Sequence, residues 1–213
     1  MPPSHLALRR AVIAAARAMN GLGINQGSSG NVSVRVGKGF LITPTALPYD
    51  RTTPEDIVAM ALDGSHLGAR RPSSEWRFHR DIYAARPDAG AVVHTHAVHA
   101  TALACLRKPI PRFHYMVALA GGEDIRCAPY ATYGTQELSD HALAALEGRR
   151  ACLLANHGMI AIGADLDAAL ALAVEVETLA RQYLLALQTG GPKLLTRAQM
   201  AEALAKFATY RPG

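Results

Sequence analysis

The chain has 213 residues, of which 50% are hydrophobic and 18% are charged. This balance predicts one globular domain over residues 1–213, with a sizeable core. The net charge of +5 comes from scattered pairs such as Arg9-Arg10 and Arg149-Arg150. Because nucleic-acid binders usually cluster their basic residues, we expect no nucleic-acid partner.

Two further sequence features concern the compartment. No apolar run reaches the roughly 20 residues of a membrane span, and arginines interrupt the N-terminal apolar stretch, so we expect neither a membrane segment nor a signal peptide. The three cysteines form no Cys-x-x-Cys motif and are interpreted as reduced core thiols. The sequence therefore predicts a cytoplasmic protein.

The first half of the chain predicts one helix and three strands. Ser4 is a candidate cap for a helix over 5–20, which glycines end. A polar, glycine-rich segment follows, and alternating valines predict a strand over 31–36 that pairs with a strand over 40–42. A loop over 43–48 and a short strand over 57–62 complete this half.

The second half predicts a mixed series of helices and strands. Ser73 or Ser74 is expected to cap a helix that reaches residue 85. The remaining predicted elements are strands over 91–95, 151–155 and 159–162, and helices over 98–106, 136–146, 165–188 and 196–207, with an irregular or mixed segment over 109–126. The strand-rich order indicates a mixed, largely antiparallel sheet covered by helices.

Three histidines stand at the ends of predicted strands. His94 and His96 are two residues apart, so a strand would direct both to one face. His157 lies far downstream, after another apolar run over 151–155. Three imidazoles with an open position are typical of a catalytic divalent metal site, most often zinc. With nine histidines in the chain, the pair alone also arises by chance.

A carboxylate and several small polar residues accompany these histidines. Glu75 is either a solvated glutamate that complements a helix dipole or a general base beside the metal. Ser73 and Ser74 precede it and, with the amides of a helix start, would form an anion pocket. The loops 27–31 and 43–46 offer further amides and hydroxyls. This combination predicts a phosphorylated substrate.

A metal with an open position, a carboxylate base and a phosphate pocket together suit one kind of chemistry. The metal would polarise a hydroxyketone, and the base would move a proton as an enediolate develops. This predicts carbon–carbon cleavage or an isomerisation through the same intermediate. The sequence fits a metallo-β-lactamase, a cupin or an amidohydrolase less well, and we expect His99 to pack or hydrogen-bond at a helix start rather than to bind metal.

Five segments resemble the class II aldolase/adducin family, most closely its L-fuculose-1-phosphate aldolase branch. They are Ser29-Gly30-Asn31-Val32-Ser33-Val34-Arg35, Ile42-Thr43-Pro44-Thr45, the segment 72–79 around Ser73-Ser74-Glu75, the segment 91–99 around His94-Thr95-His96, and the segment 128–135 that ends in Tyr133-Gly134-Thr135. The resemblance continues through Asn156-His157-Gly158 to residue 210. It covers nearly the whole chain.

The resemblance implies a role for each matching position. It assigns His94, His96 and His157 to zinc, or another divalent metal, at one ion per subunit, and it makes Glu75 both catalytic and an additional ligand. The phosphate positions fall on Gly30, Asn31, Thr45, Ala46, Ser73 and Ser74. The proton donor to the aldehyde oxygen falls on Tyr115, supplied by a neighbouring subunit, and the aldehyde side falls on Tyr133, Phe207 and Tyr210.

The family also implies an α/β fold, a three-layer α/β/α sandwich around a mixed, mostly antiparallel sheet, in a homotetramer with sites between subunits. Three positions depart from its usual pattern. Ala46 replaces a glycine and is compatible only if its φ stays negative. Tyr133 replaces a phenylalanine, and Asn156 replaces a histidine.

The expected reaction is cleavage of a ketose 1-phosphate to dihydroxyacetone phosphate and an aldehyde. The candidate substrates are L-fuculose 1-phosphate and the 5-deoxy or 5-methylthio forms of ribulose 1-phosphate. A sugar-phosphate 4-epimerase and a methylthioribulose-phosphate dehydratase on the same metal site stay open as alternatives. A non-enzymatic adducin-like module is disfavoured because all three histidines and Glu75 are present.

Overall fold

The computed structural model of the chain describes residues 5–209, so Ser4 and Tyr210 lie outside the described residues. The strands are β1 (Asn31–Val36), β2 (Gly39–Ile42), β3 (Val58–Ala61), β4 (His66–Leu67), β5 (Ala91–Thr95), β6 (Arg126–Ala128), β7 (Ala151–Leu154) and β8 (Gly158–Gly163). The helices are α1 (Leu6–Gly21), α2 (Trp76–Ala85), α3 (Val98–Cys105), α4 (Gln136–Ala145), α5 (Leu166–Gln188) and α6 (Arg197–Thr209). Short 3₁₀ helices span Pro54–Asp56 and Tyr115–Ala120.

The strands form a single mixed sheet in the order β4-β3-β2-β1-β5-β8-β7-β6. Neighbouring strands in the described range run antiparallel, except that β6 and β7 are parallel. In the centre, Asn31 of β1 pairs with His94 of β5, and His94 pairs with Ile160 of β8. The centre of the sheet therefore places three distant chain segments side by side.

Helices cover both faces of the sheet, because alternate strand residues point in opposite directions. Val32 and Val93 pack in a core with α1, α3 and α5. Ile42 and Val92 pack in a second core with α2 and α4. Full burial of one such side chain stabilises the fold by about 1.5–3 kcal/mol relative to leaving it exposed. The predicted three-layer α/β/α sandwich with a mostly antiparallel sheet is confirmed.

One local prediction is wrong, one short strand was not predicted, and the segment 109–126 is mixed as expected. The prediction that a serine caps α2 is wrong, because Glu75 occupies the N-cap position and Ser73 Oγ instead accepts from the Glu75 amide at 3.3 Å in the preceding turn. The two-residue strand β4 was not predicted. The segment 109–126 contains the second 3₁₀ helix, and β6 begins at its end.

One other local prediction is confirmed. Thr196 and Gln199 form the expected capping box, since the Thr196 amide donates to Gln199 Oε1 at 2.8 Å and the Gln199 amide donates to Thr196 Oγ1 at 3.2 Å. Among the described residues, no helix is both long enough and apolar enough to cross a bilayer.

Candidate metal centre and active site

Four side chains converge at the end of the central strands. His94 belongs to β5, His96 follows that strand, His157 lies in the turn between β7 and β8, and Glu75 precedes α2. One candidate ligand atom from each lies within 4.8 Å of the others. The structure thus brings together all four predicted metal ligands.

Hydrogen bonding fixes the direction of the central imidazole. His94 Nδ1 lies 2.9 Å from the Met159 carbonyl oxygen, so Nδ1 carries the proton and donates. His94 Nε2 therefore directs its lone pair toward His96 Nε2 and Glu75 Oε2, both at 3.1 Å. Lone pairs and a carboxylate that face one another in this way are the donor set of a divalent cation.

The second oxygen of the carboxylate supports the same conclusion. Glu75 Oε1 is buried and makes no hydrogen bond, although it lies 3.2 Å from His157 Nε2. A buried acceptor without a donor costs about 1–3 kcal/mol, or more when charged. A cation among these atoms would satisfy it, so the residues present fit a divalent metal.

Electrostatics keep the ligands in their metal-binding forms. Burial, together with the neighbouring His94, lowers the pKa of His96 and of His157 to about 4. Burial on its own raises the pKa of Glu75, but His94, His157 and the Asn31 amide outweigh it and lower that pKa to about 2. At neutral pH the two imidazoles are neutral and the carboxylate is ionised, as metal binding requires.

Two glycines allow this close approach. A Cβ on Gly158 would lie 2.6 Å from the Thr95 carbonyl oxygen and 2.9 Å from His96 Cδ2. Gly30 has a φ of +69°, and a Cβ there would lie 2.6 Å from the His94 carbonyl oxygen. The role of Gly158 was missed from the sequence, where its position directly after His157 was the available signal.

A cavity of about 330 Å³ adjoins the cluster. All six predicted phosphate positions line it, together with Glu75, His96 and His157; the six are Gly30, Asn31, Thr45, Ala46, Ser73 and Ser74. Tyr133, from the predicted aldehyde side, also lines it. Ser28, Ser29 and Pro44, from the loops expected to offer amides and hydroxyls, also line it, and the lining is completed by Tyr130, Ala131 and Asn156, to which the sequence analysis gave no role.

The backbone at Ala46 contradicts the condition set for it from the sequence. Its φ is +54°, in the left-handed region, whereas the sequence analysis required a negative value. An alanine in this region costs roughly 1–2 kcal/mol because its Cβ crowds the neighbouring carbonyl. The protein retains this strain at a turn that lines the cavity.

Tyr115 and Phe207 lie together, away from the cavity beside the candidate metal ligands. Their rings stack with centroids 6.1 Å apart, and both line a second cavity with Met116 and Lys206. Neither is among the described residues that line the cavity beside the metal cluster. Tyr115 is 53% exposed.

His99 is placed as the sequence predicts. Its Nδ1 lies 2.7 Å from Glu177 Oε1, and the amides of His99 and Ala100 donate to the same carboxylate. Glu177 of α5 thus satisfies the N-terminal amides of α3, and His99 belongs to this cap.

Comparison with known proteins agrees with the fold and the donor set. Residues 10–184 match the family described as Class II Aldolase and Adducin N-terminal domain. A 5-methylthioribulose-1-phosphate/5-deoxyribulose-1-phosphate aldolase from Rhodospirillum rubrum is 60% identical over 210 residues, which cover 99% of this chain and 95% of that protein.

Two other proteins show similar agreement. An L-fuculose phosphate aldolase from Escherichia coli (strain K12) is 52% identical over 204 residues, which cover 95% of each chain. A solved L-fuculose 1-phosphate aldolase superposes with a TM-score of 0.93 at 40% identity, covering 97% of this chain and all of the other. The relatives and the site together define a lyase whose three histidines and glutamate form a cluster suited to a divalent metal. The chain belongs to the class II aldolase and adducin family, and it is an aldolase.

Proposed function

We propose that the chain is a zinc-dependent aldolase that reversibly cleaves 5-methylthioribulose 1-phosphate or 5-deoxyribulose 1-phosphate to dihydroxyacetone phosphate and an aldehyde. The observation that carries this proposal is the convergence of three imidazoles and a buried carboxylate at one cavity. The R. rubrum relative, whose name specifies these two substrates, supports the choice of ketose. L-Fuculose 1-phosphate is the competing substrate, supported by the E. coli relative.

The phosphate end of the substrate is assigned to the polar side of the cavity. Hydroxyls of Ser73, Ser74 and Thr45 and the nearby amides line it, at the start of α2. Among its described lining residues there is no lysine or arginine. Hydroxyls, amides and the positive end of the helix dipole would therefore hold the dianion.

Glu75 is proposed as the group that moves the proton. Glu75 is 6% exposed, and Asn31 Nδ2 donates to Oε2 at 3.0 Å. Oε1 accepts no hydrogen bond, so it is the oxygen available as the base once bound substrate takes its place at the metal. In the direction of synthesis Glu75 accepts the carbon-bound proton of dihydroxyacetone phosphate, and in cleavage it returns that proton. Bound zinc would supply the charge that polarises the substrate oxygens and favours the enediolate form.

The aldehyde end is assigned to the remaining wall of the cavity. Tyr130, Ala131, Tyr133 and Asn156 line this wall. Aromatic rings and a methyl group suit a methyl or thioether tail, whereas the tail of L-fuculose 1-phosphate carries a hydroxyl. We further propose that Tyr115 of a neighbouring copy donates the proton to the aldehyde oxygen, and that Phe207 and Tyr210 close this side.

The remaining parts of the proposal concern assembly. A homotetramer of single-domain subunits, with one zinc per subunit and sites between subunits, would bring Tyr115 of one copy to the cavity of another. Its support is the location of Tyr115 and Phe207 on a separate, exposed patch. The compartment proposed for this enzyme is the cytoplasm.

The test offers zinc-loaded protein the three ketose 1-phosphates side by side. Release of dihydroxyacetone phosphate is followed by its NADH-dependent reduction with a coupling dehydrogenase, and a chelated sample is the control. We expect the 5-methylthio and 5-deoxy substrates to give the highest kcat/KM, and the chelated sample to be inactive. A product isomeric with the substrate would instead identify an epimerase, and loss of water without fragmentation would identify a dehydratase.

A further inference from the structure

A buried chain of hydrogen bonds continues behind the carboxylate of Glu75. Asn31 Nδ2 donates to Glu75 Oε2 at 3.0 Å, and Asn31 Oδ1 lies 2.5 Å from His79 Nε2. His79 Nδ1 lies 2.6 Å from Ser33 Oγ, which lies 2.8 Å from the Tyr83 hydroxyl. The side chains of His79 and Ser33 are fully buried.

Sequence spacing explains how this chain of bonds forms. His79 and Tyr83 are four residues apart on one face of α2, and Glu75 is the N-cap residue four positions before His79. Asn31 and Ser33 are two residues apart on β1 and point to the same side of the sheet. One helix face and one strand face therefore meet, and the side chains of Asn31, His79, Ser33 and Tyr83 pair with one another between them.

The donors and acceptors allow only one arrangement. An ionised Glu75 carboxylate only accepts, so the Asn31 amide nitrogen must face it and the amide oxygen must face His79. His79 Nε2 must then carry a hydrogen. Burial, and secondarily His94, lowers the pKa of His79 to about 3, so the ring is neutral and Nδ1 must accept from Ser33.

We propose that His79 is a positioning residue of the active site: held in its Nε2–H tautomer by Ser33, it locks the Asn31 amide so that its nitrogen faces Glu75. The opposite tautomer would place a lone pair against Asn31 Oδ1 and would favour a flipped amide. A flipped amide would turn its oxygen toward the carboxylate and repel it. The tautomer of a histidine outside the cavity thus fixes which Glu75 oxygen stays free.

The catalytic half of this inference rests on the proposed function, because it takes Glu75 as the proton-transferring group. The tautomer itself does not depend on that assignment. Loss of an outer hydrogen-bond partner of this kind typically costs about 10-fold to 100-fold in activity or metal affinity. The effect should appear in kcat rather than in KM, since His79 does not line the cavity.

The mutational test compares two buried serines. Ser33→Ala removes the hydrogen bond to His79, whereas Ser139→Ala removes an equally buried hydroxyl that donates to Asp81 at 2.6 Å. Both changes should lower the melting temperature, but only Ser33→Ala should lower kcat, by about 10-fold or more. Equal kcat values for the two variants, measured well below their melting temperatures, would overturn the proposal.

A pair of changes at His79 tests the donor directly. His79→Leu cannot donate to Asn31 and should lower kcat as far as Ser33→Ala does. His79→Gln places an amide nitrogen near the position of Nε2 and should recover part of that loss with KM little changed. Failure of glutamine to exceed leucine, with both variants folded by circular dichroism, would contradict a donor role.

A spectroscopic measurement separates this inference from the proposed function. In the metal-free protein with ¹⁵N-labelled histidine, two-bond and three-bond ¹H–¹⁵N correlations identify the tautomer of His79. An Nε2–H pattern in the unmodified chain that shifts toward Nδ1–H in Ser33→Ala would support the inference. An Nδ1–H pattern in the unmodified chain would contradict it. Absence of aldol cleavage with every ketose, beside an Nε2–H pattern, would refute the proposed function alone.

Discussion

The cluster of candidate metal ligands and the patch formed by Tyr115 and Phe207 differ in one respect. One copy of the chain contains all the residues of the cluster, whereas the patch lies apart from the cavity of its own copy. The ligands of the cluster come from β5, the β7–β8 turn and the start of α2, and their atoms converge within a single subunit. The patch lies on a 3₁₀ helix and on α6, with Tyr115 53% exposed, and it lines a different cavity.

This contrast indicates a division between rigid, central groups and exposed, peripheral groups. The groups proposed to hold the metal and to transfer the proton need fixed geometry, and the packed centre of the sheet supplies it. Tyr115 and Phe207, which are proposed to meet the aldehyde, lie on peripheral elements, where another copy of the chain could bring them to the cavity. The following predictions test this division, beginning with the largest expected effect.

Glu75→Gln should lower turnover by about 10²-fold to 10⁴-fold, because the amide cannot take up the proton. Three histidines remain, so zinc should still bind at a measurable stoichiometry. Asp81→Asn on α2 is the control, since it removes a carboxylate that is paired with Arg80 away from the cluster. Unchanged turnover in Glu75→Gln would eliminate Glu75 as the base.

Tyr115→Phe should lower turnover by about 100-fold, because the proposed proton donor to the aldehyde oxygen is lost. Mixing this variant with Glu75→Gln after joint refolding should restore part of the activity, because a mixed assembly joins one intact Glu75 to one intact Tyr115. Activity no greater than the sum of the separate variants would show that the two groups do not act across subunits.

Gly158→Ala should weaken zinc binding by about 10-fold to 100-fold, because the new Cβ would press on the His96 ring and on the Thr95 carbonyl. Competition with a chromophoric chelator would measure this. Ile162→Val, in the same strand, should lower stability by about 0.5–1.5 kcal/mol without changing the affinity. Equal zinc affinities in all three proteins would show that this glycine is not needed for ring spacing.

Ala46→Gly should raise the free energy of unfolding by about 0.5–1 kcal/mol. Glycine removes the strain of the left-handed φ, and this stabilisation exceeds the loss that comes from the greater conformational entropy of the unfolded chain. Urea unfolding measures the change. Ala84→Gly, at an exposed position of α2, should have the opposite sign and cost about 1 kcal/mol. Destabilisation by both glycines would contradict strain at Ala46.

The predictable part of the site depended on local periodicity. His94 and His96 could be assigned to one face because a strand alternates its side chains, and the apolar runs around them marked the strands. β4 carried too little pattern to be recognised, since two exposed residues bury nothing. The start of α2 was misplaced because the interactions of Ser73 and Glu75 with distant residues, rather than local capping preference, decided it.

The sequence by itself determined a mixed, largely antiparallel sheet covered by helices, the three histidines with Glu75, and the small polar residues near them. It could do so because each is encoded by short-range spacing and residue chemistry. Only the tertiary structure decided the positive φ of Ala46, the contact of Gly158 with the imidazoles and the line of bonds from Tyr83 to Glu75. Those features depend on the exact distance between a helix and strands that are far apart in the chain, which periodicity does not specify.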